Sequence, residues 1–263
     1  MGITMIEELF FYAKDKLKQL KYYKYLPVKP KNSDIYLVEF PKSGITWLST
    51  IIANINLIES NSKQRATYYN IQQLIPDIHM NRNILDEPMW SIPSCRFIKS
   101  HYEWCPFYNY VVYLVRNPVS VMNSYYHYTK MLNQFRGGLE EFVKDRRYGI
   151  EAWKSHVHSW LLRGDSSQRV HMVKYEDLKK NPVDTVQSLY NNFGIEIEAE
   201  TVNVSIELSS FEKMQQSEGR YRKFNPNASL VFVREGRVKS EIDINVERYI
   251  LDNTKEIRKQ IGY

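Results

Sequence analysis

Cysteine is scarce in this chain of 263 residues: only Cys95 and Cys105. Two thiols make neither a disulfide framework nor a zinc site, which excludes small stapled scaffolds and zinc-ribbon modules. Free thiols in a reducing compartment are expected. Long apolar runs are missing too. No stretch approaches the roughly 20 residues a bilayer span needs. Glu7, Glu8, Lys14, Asp15, Lys16 and Lys18 break up the N-terminal segment, so no signal peptide is expected. Together these absences predict a cytoplasmic protein with no stable membrane insertion. Blocks of like charge are absent, so no nucleic-acid partner is expected. No internal repeat, low-complexity tract or linker divides the chain, which predicts one domain over residues 1–263. The glycine-rich phosphate loop G-x-x-x-x-G-K-[ST] is also missing.

What is present suits a globular protein with a sizeable core: 43% hydrophobic and 25% charged residues. A net charge of +6 favours anionic ligands without choosing among nucleotide, nucleic acid and membrane. Twenty tyrosines offer flat apolar area that also carries a hydroxyl, useful in pockets as well as cores.

The stretch Ile35–Ile55, IYLVEFPKSGITWLSTIIANI, organises the rest. Ile35–Phe40 reads as a buried strand. Pro41-Lys42-Ser43-Gly44 reads as a sharp turn, and the apolar run from Thr46 reads as a helix. The free N–H groups and macrodipole at such a helix start attract an anion, and Lys42 adds a mobile charge. The lysine precedes the only glycine, unlike the standard phosphate loop. A βα turn of this composition also occurs without any phosphate ligand.

Elsewhere the pattern alternates strand and helix. Residues 4–22 have helical spacing (Ile6, Leu9, Phe10, Leu17, Leu20) and suit either packing on the domain or a membrane surface. Residues 59–93 are aromatic and punctuated by proline, either a pocket wall or a surface excursion. Cys95–His101 reads as a second strand ending in Lys99-Ser100-His101, where open α/β sheets place their chemistry. Tyr110–Val115 is the clearest strand. Arg116-Asn117-Pro118 follows it, with Pro118 suited to a first helical turn. Arg116 offers a planar fork for phosphate, or caps a sheet edge. Trp153, Val157, Trp160 and Leu161 predict a core-facing helix over 150–163. His156 and His158 fall on different faces of it, which argues against a metal pair. Val170–Tyr175 reads as a further strand, and residues 183–194 as a helix ended by Gly194.

Six strings in order give this pattern a meaning: Pro41–Trp47 (PKSGITW), Lys99–His101 (KSH), Arg116–Pro118 (RNP) with Ser124–His127 (SYYH), Tyr175–Leu178 (YEDL), Ser209–Met214 (SSFEKM) and Arg234–Gly236 (REG). They resemble the sulfotransferases that use 3′-phosphoadenosine 5′-phosphosulfate (PAPS), in particular the cytosolic small-molecule type. That resemblance implies an α/β fold with a central parallel sheet, helices on both faces and a P-loop-like turn. It implies that Lys42, Ser43, Gly44, Ile45, Thr46 and Trp47 hold the 5′-phosphosulfate end of the donor. Arg116, Ser124, Arg234, Glu235 and Gly236 correspond to the 3′-phosphate clamp. Tyr175, Ser209 and Phe211 correspond to the adenosine contacts, with Phe211 opposite Trp47. It implies His101 as base, Lys42 and Lys99 as charge stabilisers, and Ser124 as a restraint on Lys42. No metal is expected. Three departures stand out. Ile45 replaces a second threonine, Glu235 replaces a lysine and is expected to point away from phosphate, and the segment after Gly236 lacks Gly-Asp-Trp. The usual dimer pattern fails around Lys239, Asp243 and Arg248, so a monomer or a different dimer is expected. The expected partner is a small acceptor in a pocket lined from among Tyr68, Tyr69, Trp90, Tyr102, Trp104, Tyr126 and Tyr221. Two other readings stay open: a P-loop kinase-like phosphotransferase and an inactive nucleotide-binding module.

Overall fold

The computed structural model describes residues 22–80, 96–163, 169–224 and 242–263. Four strands make one parallel sheet: β1 (Asp34–Glu39), β2 (Arg96–Ser100), β3 (Tyr110–Val115) and β4 (Arg169–Lys174), in the order β2-β1-β3-β4. The strands carry apolar residues on both faces, as strands covered on both sides must. Ile35, Leu37, Phe97, Val112, Leu114 and Val173 face one core. Tyr36, Val38, Ile98, Val111, Tyr113 and Val115 face the other.

The helices are α1 (Ile45–Glu59), α2 (Ile71–Leu74), α3 (Pro118–Met131), α4 (Leu139–Lys144), α5 (Ile150–Val157), α6 (Tyr175–Lys180), α7 (Pro182–Asn192), α8 (Ala199–Leu208), α9 (Phe211–Phe224) and α10 (Ile244–Gln260). α1, α7 and α8 contribute Ile51, Leu189 and Val202 to the first core. α3, α4, α5 and α10 contribute Met122, Phe142, Trp153 and Ile250 to the second. The fold class expected from the sequence, a parallel sheet with helices on both faces, is the one observed.

Strand positions agree with the sequence pattern to within a residue at most ends. One helix differs. Residues 150–163 are not a single α-helix: α5 stops at Val157 and continues as a π-helical turn, His158–Leu162. Trp160 in that turn donates its indole N–H to the Tyr102 carbonyl at 3.0 Å. Residues 4–21 of the expected 4–22 helix, Trp90 and Cys95 lie outside the described residues. Cys105 is buried and forms no disulfide among the described residues. Among the described residues no helix is long and apolar enough to cross a membrane.

Two polar clasps fix the ends of the sheet. At its entry, Arg96 donates from Nε and Nη2 to the two Asp34 oxygens (2.8 and 2.7 Å), joining β1 to β2 in a buried bidentate pair. At its exit, Tyr263 donates to the Val115 carbonyl (3.2 Å) and to the Glu176 carboxylate. Lys174 Nζ donates to the Gly262 carbonyl at 2.6 Å. The strand order reverses about β1, so a crevice opens beyond the C-terminal ends of β1 and β3.

Candidate active site

The turn after β1 is shaped by two residues with positive φ, Lys42 (76°) and Gly44 (114°). Gly44 is required twice over. Its φ suits a residue without Cβ, and a Cβ there would lie 2.5 Å from the Tyr175 ring. Gly44 is the N-cap of α1, and its carbonyl accepts the Trp47 N–H at 3.0 Å. Among the described residues the N–H groups of Gly44 and Thr46 find no protein acceptor, so they remain for an anion at the helix start. Ser43 and Ile45 depart from their expected role because both turn inward. Ser43 spends its N–H and its hydroxyl on the Phe40 carbonyl (3.3 and 2.9 Å). Ile45 donates its N–H to Glu39 Oε2 at 2.8 Å and buries its side chain in the core.

Beneath the turn sits Glu39, the last residue of β1 and fully enclosed. Burial raises its pKa to about 7, against the opposing pull of Lys99, the Ile45 N–H and Lys42. Next to it, at the end of β2, is His101. The imidazole Nδ1 lies 3.4 Å from the Glu39 carbonyl and 3.9 Å from its carboxylate. A carbonyl only accepts, so Nδ1 carries the hydrogen and Nε2 keeps its lone pair. Burial, then Lys99, hold the His101 pKa below the ordinary histidine range, which leaves the ring in its neutral, basic form.

The backbone of His101 is held from two sides. Its N–H donates to His79 Nε2 at 2.9 Å. Its carbonyl accepts from His156 Nε2 at 3.2 Å, and His156 Nδ1 accepts the Tyr113 hydroxyl at 2.8 Å. Burial lowers the His79 pKa and brings that of His156 to about 4, so both stay neutral in these roles. Lys99 Nζ pairs with Asp77 Oδ2 at 3.3 Å.

At the other end of the crevice, the Arg116 guanidinium lies 4.4 Å from the Tyr175 ring centroid and donates to the Lys42 carbonyl at 3.3 Å. Tyr175 meets Trp47 edge to face at 5.9 Å. Glu176 accepts the Asn117 N–H (3.1 Å), and Asn117 caps α3 through the Val119 N–H (2.9 Å), so the YEDL string holds the RNP turn in place. The Lys42 ammonium lies 4.5 Å from the Tyr128 ring centroid. Ser124 is one helical turn before Tyr128, on the same face of α3. Phe211 opens α9, partly buried, and makes no ring contact with Trp47. Ser209 is placed in the core. Its hydroxyl is buried, donating to the Ser205 carbonyl (2.7 Å) and accepting from Asn54 (3.0 Å), so it ties α8 to α1. Arg234, Glu235 and Gly236 lie outside the described residues.

Sequence reasoning missed four residues here: Glu39, Asp77, His79 and His156. Glu39 left a signal, as the one charge inside IYLVEF. Asp77 and His79 left none, because their segment joins the site only through tertiary pairing. Residues 76–79 lie alongside β2, with the Lys99 N–H donating to the Pro76 carbonyl (2.8 Å) and the Ile78 N–H to the Lys99 carbonyl (3.0 Å). Tyr68 and Tyr69 pack against Tyr221 of α9 at 4.8 and 4.9 Å between ring centroids, which ties this part of the 59–93 segment to α9.

A parallel sheet that offers helix N–H groups, an arginine fork and two lysines at its switch point defines an α/β protein whose crevice suits an anionic group such as a phosphate. The sequence model of the sulfotransferase domain family matches residues 32–256, and the chain belongs to that family. It is similar to sulfotransferase 1 family member D1 of Mus musculus, 28% identical over 241 residues that cover 82% of this chain and 74% of the relative. It is also similar to sulfotransferase 4A1 of Homo sapiens, 30% identical over 182 residues, 64% of this chain and 62% of that protein. Among solved structures, a mouse sulfotransferase (SULT7A1) complexed with PAP superposes with a TM-score of 0.63 at 22% identity, covering 94% of this chain and 92% of that one. Retinol dehydratase in complex with androsterone and the inactive cofactor PAP gives 0.66 at 19% identity, covering 92% and 85%. The protein is an enzyme of the sulfotransferase class.

Proposed function

We propose that the chain transfers the sulfuryl group of PAPS to a hydroxyl or amine of a small acceptor, by in-line displacement with His101 as base. The observation that supports this most is the convergence of Lys42, Lys99 and His101 around Glu39, with His101 Nε2 left as a lone-pair acceptor by the bond at Nδ1. The donor supplies the sulfuryl group and the leaving phosphate. The protein supplies the rest. The Gly44 and Thr46 N–H groups and Lys42 receive the phosphosulfate charge, and Lys99 faces the sulfuryl oxygens. Arg116, stacked on Tyr175, takes the 3′-phosphate with Ser124 and the 234–236 segment, while Trp47 and Phe211 hold the base. His101 removes the acceptor proton, help worth roughly 10² to 10⁴ in rate. Ser124 restrains Lys42 until the acceptor is in place.

Thermal shift separates this donor from a triphosphate. A ligand at about 100 times its Kd stabilises by roughly 2.7 kcal/mol. The product nucleotide, 3′-phosphoadenosine 5′-phosphate (PAP), raises Tm and ATP with magnesium does not. The reverse result overturns the reading. Arg116→Ala abolishes the PAP shift.

A further inference from the structure

Asp77 belongs to none of the strings that carry the family likeness, yet it stands in front of the proposed base. The pairing of residues 76–79 with β2 fixes its backbone beside Lys99. One carboxylate oxygen, Oδ1, accepts the His79 N–H at 2.9 Å and is tied to its own turn. The other, Oδ2, is 3.3 Å from Lys99 Nζ and 4.0 Å from His101 Nε2. The side chain is only 6% exposed. Burial alone would raise its pKa, but the Lys99 ammonium outweighs that and keeps it ionised.

A separation of 4.0 Å is too long for a direct hydrogen bond between Oδ2 and Nε2. It is the right length for one atom to bridge them. An atom about 2.9 Å from each sees the two acceptors roughly 90° apart. That is about 20° below the tetrahedral angle between two hydrogens on one nitrogen, a bend of about 10° at each hydrogen bond, which such bonds accept. A hydroxyl has a single hydrogen and can satisfy only one of the two. Charge points the same way. When Lys99 turns to the sulfuryl oxygens, Asp77 loses its partner, and a buried carboxylate left without a cation is costly. An amine brings both the second hydrogen and positive character.

We propose that the acceptor nucleophile is a primary amine, gripped jointly by His101 Nε2 and Asp77 Oδ2, and that Asp77 is a specificity residue for N-sulfation. The proposal rests on the sulfuryl-transfer reading above. The docked ammonium first releases one proton to solvent. The N–S bond forms as the bond from sulfur to the bridging oxygen breaks. That electron pair leaves on PAP, one N–H proton passes to His101 Nε2, and the other stays hydrogen-bonded to Asp77 in the sulfamate product.

The test compares kcat/KM for 2-phenylethylamine and its isostere 2-phenylethanol with PAPS, in the wild-type chain and in Asp77→Asn, with the PAP thermal shift measured on both. The wild type favours the amine by tenfold or more, and Asp77→Asn reduces that ratio at least tenfold. Asp77→Glu, which keeps the charge, restores part of it. N-methyl-2-phenylethylamine, with one N–H when neutral, falls toward the alcohol in the wild type. That comparison decides the matter without any variant, should Asp77→Asn fail to fold. If PAP binds and the wild type prefers the alcohol, or if the folded variant keeps the ratio, this proposal is overturned and sulfuryl transfer stands. If PAP does not bind and neither acceptor is sulfated, both readings fall.

Discussion

At the scale of single residues, the site is a set of neutral histidines around a buried carboxylate. His101 and His79 both have pKa values depressed by burial, and His101, brought to about 3, is unprotonated well into mild acid. The acid limb of the kcat/KM profile therefore falls below the free-histidine value of about 6.5. A limb at or above that value contradicts the assignment. Glu39 has the opposite sign. Its pKa is raised from 4.5 to about 7, so below 4.5 it is neutral folded or unfolded and costs nothing. As pH rises from 4.5 to about 7 the unfolded chain ionises this group and the fold does not, so stability is lost across that window and levels off above it. At roughly 1.4 kcal/mol per unit the loss is at most about 3.5 kcal/mol. Glu39→Gln keeps an oxygen for the Ile45 N–H without the charge. Its Tm relative to wild type rises between pH 5 and pH 8, read by calorimetry; a constant difference would reject the buried ionisation. His101 and Lys42 were legible in the sequence because a strand end and a glycine turn announce themselves locally. His156 was legible only as lying on a different helix face from His158, with no role at the site. Its bridge from Tyr113 to His101 depends on residues 43 and 55 positions away, which no local pattern reports.

At the scale of elements, the turn between β1 and α1 carries the proposed anion site, and Tyr175 at the start of α6 packs against it. Gly44→Ala forces a side chain into positive φ and against the Tyr175 ring. Strain of roughly 1–3 kcal/mol is expected there, and a loss of PAP affinity with it. Isothermal titration with PAP measures this, and unchanged affinity would remove the turn from the donor site. The strands were legible because both faces are apolar and the runs are short. The continuous 150–163 helix was not, because spacing counts apolar positions and cannot show that the last turn widens to bring Trp160 to Tyr102. Ser43, Ile45 and Ser209 sit in strings that match the family, but the direction of each side chain and N–H is set by Phe40, Glu39 and Asn54, which the strings do not contain.

At the scale of the whole molecule, the sheet is clasped at both ends. Both Asp34 and Arg96 are buried, so Arg96→Ala strands a carboxylate in the core. The loss of stability is expected to be about 3–5 kcal/mol, measured by urea unfolding. A loss under 1 kcal/mol would contradict burial of the pair, since about that much is typical of an exposed one. The net charge of +6 was readable from composition as a preference for anions. Composition was silent on the carboxylates Glu39 and Asp77, which turn a basic protein's crevice into a mixed-charge site. The central claim is that this crevice moves a sulfuryl group with His101 as base. Labelled PAPS, offered with a panel of small amines and alcohols, tests it most directly in wild type beside Lys42→Ala and His101→Ala. The account predicts transfer by the wild type and a loss of about 10² or more in kcat for His101→Ala, with PAP binding retained. Full activity in His101→Ala, or no transfer to any acceptor by a chain that binds PAP, would contradict it.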